Sequence, residues 1–141
     1  MFAREVEAAD AYTKLYRGLY PKRRFPEAEW EDARVDIAES IGLFEKGLEQ
    51  FLGAHSMAVS PEVLSLLEHA RVAAGETNFE VGRDTGTGSY EPNEYPSDVV
   101  GKGVDDVFES MQKAFERIKE DLRSGSLATK STVAALPKIN E

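Results

Sequence analysis

Two long runs of apolar residues recur every three or four positions, and no other feature limits the fold so tightly. One runs Trp30, Ala33, Ile37, Ile41, Phe44, Leu48, Phe51, and the other Val104, Phe108, Met111, Phe115, Ile118, Leu122. Steps of three and four put every one of these residues on one side of an α-helix, and such a stripe needs a partner surface to leave water. No strand-like alternation is long enough to propose a sheet. The pattern predicts an all-α fold: a four-helix, mainly antiparallel bundle with helices over residues 2–19, 27–52, 61–80 and 98–123.

The local signals agree with that plan. In the first helix Phe2, Val6, Ala9, Tyr12 or Thr13, Tyr16 and Leu19 make a narrower and more aromatic stripe. Pro21 and Pro26 bracket a turn, because each disfavours helical geometry in the residue before it. Acidic residues from Glu27 to Asp32 suit the positive end of the second helix, with Gly53 as its stop. Gly42 and Gly47 inside that helix are weaknesses or places where another backbone comes close. Ser60-Pro61-Glu62 opens the third helix as cap, first-turn proline and favourable acid. Val63, Leu66, Leu67, Ala70, Ala73 and Ala74 form its apolar side. Residues 82–97 have no period and are rich in Gly, Pro, Asn and Ser, which predicts a long, flexible loop. Ser97 or Asp98 caps the fourth helix, Ser124-Gly125-Ser126 ends it, and residues 126–141 form a mobile tail beyond a single domain over residues 1–125.

The composition narrows the chemistry. A chain of 141 residues with 41% hydrophobic and 30% charged residues fits one globular domain. The absence of cysteine removes disulfides, thiolate catalysis and cysteine-ligated metals. No apolar run is long enough to span a membrane, and Met1-Phe2-Ala3-Arg4-Glu5 does not read as a secretory signal, so the expected location is cytoplasmic. A carboxylate-bridged metal bundle needs Glu-x-x-His on two helices, whereas Leu52 and Leu66 stand three residues before His55 and His69. His55 reads as a loop residue and His69 as a partly exposed helix residue. Gly82-Arg83-Asp84-Thr85-Gly86-Thr87-Gly88-Ser89 lacks the Gly-Lys-Ser/Thr ending of a phosphate cradle. No catalytic, cofactor-binding or metal-binding residue is therefore assigned, and no cofactor is implied.

The net charge of −9 disfavours general attraction to phosphate backbones. The charge is uneven: residues 14–24 hold five basic residues and no acid, while residues 27–52 hold eight acids against Arg34 and Lys46. Lys14, Arg17, Tyr20, Lys22, Arg23 and Arg24 thus form a candidate interaction patch. With Tyr12 and Tyr16 it could meet RNA or an anionic membrane surface, or the same tyrosines could serve as core. The leading expectation is a non-enzymatic protein-interaction or accessory module. The alternatives are a small-molecule or metal-dependent enzyme with its site between helices, and a module that self-associates through its stripes.

Tyr12-Thr-Lys14-Leu15-Tyr16, Phe44-Glu-Lys-Gly-Leu48, Ser60-Pro61-Glu62-Val63 and Phe115-Glu-Arg-Ile118-Lys-Glu-Asp-Leu122-Arg123 also resemble, in that order, a loose group of uncharacterised bacterial helical-bundle proteins. The resemblance covers roughly residues 3–125 and implies a helical bundle. It transfers no functional residue.

Overall fold

The computed structural model of the chain describes residues 2–19, 30–92 and 94–135. Four helices follow in order: α1 (Phe2–Leu19), α2 (Trp30–His55), α3 (Pro61–Thr85) and α4 (Asp98–Ala135), with a single 3-10 turn, Ser56–Ala58, between α2 and α3. Among the described residues there is no strand. Leu15 lies against Gly47, Gly42 against Asn78, and Gly103 against Thr77. A second contact in each pair, Tyr12 with Phe51, Glu45 with Gly75 and Glu62 with Arg117, shows the residue number falling on one helix as it rises on the next, so successive helices run antiparallel. The arrangement closes into a ring, since α4 packs on both α3 and α1.

The helix ends show where sequence signals outweigh propensity. Ser60 caps α3: its Oγ accepts the Val63 amide at 3.2 Å, and Pro61 fills the first turn, where no donor is needed. Ser97 does the same for α4 through the Val100 amide. Gly53 does not stop α2, which continues to His55, and the start expected at residue 27 lies outside the described residues. Neither Gly75 nor Gly82 ends α3, since each costs only about 1 kcal/mol in a helix that tertiary packing supports. The stop is Gly86, whose φ of 74° is left-handed, a conformation glycine adopts without steric penalty; its amide closes the helix on the Gly82 carbonyl at 2.8 Å. Similarly, α4 passes through Ser124-Gly125-Ser126 and reaches Ala135, since those residues only weaken an i→i−4 ladder and strong helix formers follow. The connection after α3 accordingly begins at residue 86 instead of 82.

The core joins Tyr12, Tyr16 and Leu19 of α1, Ile37, Ile41, Phe44, Leu48 and Phe51 of α2, Val63, Leu67, Ala70 and Ala74 of α3, and Val100, Val104, Val107, Met111, Ala114 and Ile118 of α4. The α2 stripe is buried as read from Ile37 to Phe51, whereas at its start Ala33 is half-buried and Trp30 is 39% exposed. Val6 of α1 is exposed, and Ala8 takes its place inside. In α4, Val104, Met111 and Ile118 are buried as read, but the rest of the buried face lies to one side of the stripe. Val100, Val107 and Ala114 are fully buried, while Phe108 and Phe115 pack only partly buried against the core.

Two kinds of seam hold the ring. Around α1 the contacts are aromatic: the Tyr12 ring is 5.4 Å from Phe51 and 6.4 Å from Phe115, and Tyr16 is 5.0 Å from Phe115. Phe108 continues the series from Tyr16 to Trp30, and His55 extends it from Phe51. Where α3 packs on α4 many of the buried residues are small, Ala70, Ala74 and Thr77 on one helix and Ser110 and Ala114 on the other, and Thr77 lies against Gly103. A Cβ on Gly103 would lie 2.0 Å from Thr77 Oγ1, so the Thr77 side chain occupies space that only glycine at position 103 leaves open.

Candidate functional site

Lys14 and Arg17 occupy the exposed side of α1, and Lys14 Nζ stands 3.6 Å from Asp10 in an i,i+4 pair. Tyr20, Lys22, Arg23 and Arg24 lie outside the described residues, so only Lys14 and Arg17 of the expected patch are placed together. The tyrosines that gave the segment its aromatic character face inward instead. The Tyr12 hydroxyl is buried and donates to the Met111 carbonyl at 2.7 Å. Burial, with Tyr16 adding to it, holds that hydroxyl far above the ordinary tyrosine range. Neither ring offers a free face for stacking on a base.

The densest polar assembly lies where the starts of α2 and α4 meet the loop from α3. Asp105 accepts from Trp30 Nε1 at 2.7 Å and Arg34 Nε at 3.1 Å on one oxygen, and from the second Arg34 nitrogen on the other. Asp84, in the last turn of α3, accepts the Tyr90 hydroxyl and the Ser97 amide, both at 2.9 Å. Glu39 accepts the Tyr90 amide at 2.8 Å, and the Tyr95 hydroxyl donates to Asp32 at 3.1 Å. The loop is thereby tied to α2, α3 and the head of α4.

Burial pushes the Asp105 carboxyl up, but the Arg34 and Trp30 hydrogen bonds outweigh it and hold the group below the usual range. Asp84 follows the same balance, with burial opposed by the Ser97 amide and the Tyr90 hydroxyl. A general base works best with a pKa near the operating pH. Carboxylates held low and already hydrogen-bonded fasten a structure; they do not take protons. A cleft of about 470 Å³ beside this assembly is lined by Arg34, Tyr95, Ser97 and Asp105, whose polar groups are thus mostly committed.

On the outer side of the α3–α4 seam a groove of about 580 Å³ has a different character. Phe79 and Val99, 65% and 61% exposed, both line it. Ala73, Thr77 and Gly103 line it as well, while Glu76, Glu80, Lys102 and Asp106 supply its charges. Thr77 is 3% exposed, and its hydroxyl has no hydrogen-bond partner among the described residues. The groove depends on the close seam beneath it. A smaller cleft at the opposite end, about 270 Å³, lies between Met57, Val59, Ile118 and Leu122.

Sequence reasoning did not find the α3–α4 groove. Its one signal is that Phe79 stands off the α3 stripe but seven residues from Val72, on the face that also carries Glu76. The histidines play other parts: His55 is the last residue of α2, not a loop residue, with its ring 5.1 Å from Phe51, and His69 is exposed on α3. Among the described residues no three His, Asp or Glu side chains converge as a metal site would require, and no helix is long and apolar enough to cross a membrane.

Comparison of the chain with family models, with curated proteins and with solved structures finds no match to any of them.

Proposed function

We propose that the protein is a non-enzymatic interaction module of the cytoplasm, and that it binds its protein partner through the groove between α3 and α4. The observation that carries this reading is the exposure of Phe79 and Val99 beside a recess of small residues. An aromatic side chain left in water next to a groove is the usual anchor of a protein contact, because its burial on binding contributes more than that of any polar neighbour. The polar assembly around Asp105 and Asp84 supports the reading indirectly, since its carboxylates serve to hold the loop and the head of α4 in place.

The test is site-specific photo-crosslinking in the native host. A benzophenone side chain at position 79 is expected to give one adduct of defined mass that is reproduced with the purified partner and lost in Val99→Ser. The same group at Leu43, exposed on α2, is expected to give none. Equal crosslinking from both positions, or none from position 79, overturns the assignment of the groove.

A further inference from the structure

We infer that the occupant of the α3–α4 groove is a basic amphipathic segment that inserts an apolar side chain between Phe79 and Val99 and lays lysines or arginines along Glu76, Glu80 and Asp106. The inference rests on the interaction reading above and adds the chemistry of the partner. Three carboxylates and one ammonium, Lys102, surround the groove. Glu80 has a distant partner in Arg83, at 3.9 Å. Glu76 and Asp106 make no ion pair with any described residue, so their charge is free to meet a ligand.

That charge decides between occupants. Two copies meeting about a twofold axis would bring this net-negative rim against itself, in a chain that already carries −9. A nucleic acid or an anionic lipid surface would meet the same carboxylates with like charge. A cationic segment with one apolar face satisfies both features, since its side chains at i, i+3, i+4 and i+7 enter a groove between two helices while its charged flanks remain at the rim.

The experiment measures binding of two synthetic 18-residue amphipathic peptides, one of leucine and lysine and one of leucine and glutamate, to the full chain by fluorescence anisotropy at low salt. The leucine–lysine peptide is expected to bind one to one. Phe79→Ser should weaken it at least about tenfold, as loss of a central anchor does. Combined Glu76→Gln, Glu80→Gln and Asp106→Asn should weaken it by about tenfold and flatten its salt dependence. Val99→Ser provides a second apolar variant, and all variants are checked for unchanged helical circular dichroism.

Each contrary result points to a different fault. If the leucine–lysine peptide binds the wild type and Phe79→Ser equally, the attraction is diffuse charge and the inference falls. Phe79-dependent binding of the leucine–glutamate peptide sinks the basic partner but leaves the groove as an interaction site. Binding of neither peptide overturns the inference. If light scattering then shows a dimer that Phe79→Ser dissociates, the occupant is a second copy. If it shows a monomer, a second copy is excluded too, and the crosslink at position 79 alone decides the interaction reading.

Discussion

The seam around α1 and the seam between α3 and α4 solve the same packing problem in opposite ways. Around α1, large rings fill the space between helices, and the Tyr12 hydroxyl reaches across to the Met111 carbonyl. Between α3 and α4 the side chains are short, and that of Thr77 packs directly over the bare Cα of Gly103. The first seam is weakened by removing atoms and the second by adding them. A groove with an exposed aromatic lies over the second.

The largest effect in either seam should come from deletion on the aromatic side of the core. Phe44→Ala and Phe51→Ala are expected to cost about 3–5 kcal/mol each in urea denaturation. Phe115→Ala should cost less, because that ring is only partly buried. Equal losses would mean that burial does not rank these rings.

Next comes a single added methyl group. Gly103→Ala is expected to cost about 1–3 kcal/mol through overpacking, offset by up to about 1 kcal/mol of improved helix propensity. Thr77→Ala in the same chain should recover part of the loss, because it removes the 2.0 Å contact and leaves a Cβ contact at 3.1 Å that a small shift can relieve. Additive effects in that double-mutant cycle would separate the two residues. Tyr12→Phe, which loses the bond to the Met111 carbonyl, should cost about 1 kcal/mol and leave the ring packing unchanged.

The polar assembly sharpens the comparison through pH. Asp84 and Asp105 are held below their ordinary range, so their contribution is fully present above the unfolded carboxylate value of about 4 and is lost as pH falls through their lower folded values. Thermal melts between about pH 6 and pH 2 should show this loss in the wild type and a shallower slope in Asp105→Asn. The smallest effect belongs to the outer face of α1. Lys14→Ala with Arg17→Ala should change stability by less than about 0.5 kcal/mol, measured in the same denaturant series.

What could be read from the sequence divides along the same line. The order and number of helices and the caps at Ser60 and Ser97 followed from periodicity and turn chemistry, as did the buried run from Ile37 to Phe51. In α4 the adjacent pairs Val107–Phe108 and Ala114–Phe115 each offered two choices, and the larger residue drew the stripe. The structure buries the smaller one, because α3 approaches closely only where side chains are short. Hydrophobicity weights a residue by its size, whereas a close seam selects for its absence. The pairing of Arg34 with Asp105 had no local signal at all, since 71 residues separate them. Only two of the six patch residues are described by the structure. The neighbouring Tyr12 and Tyr16 gave a pattern that core packing and surface binding share.

Asp84 grips Tyr90 near the outgoing limb of its loop and Ser97 at the returning limb, so one carboxylate acts as a buckle at the base of the loop. The stretch between those two points is a small loop whose ends are already held together. Lengthening it should cost only the slow logarithmic entropy of a closed loop, about 0.6 kcal/mol for each doubling. A peptide tag could then be grafted into that stretch, at the expense of the turn that the Glu94 amide closes on the Glu91 carbonyl, without the helices being informed of it.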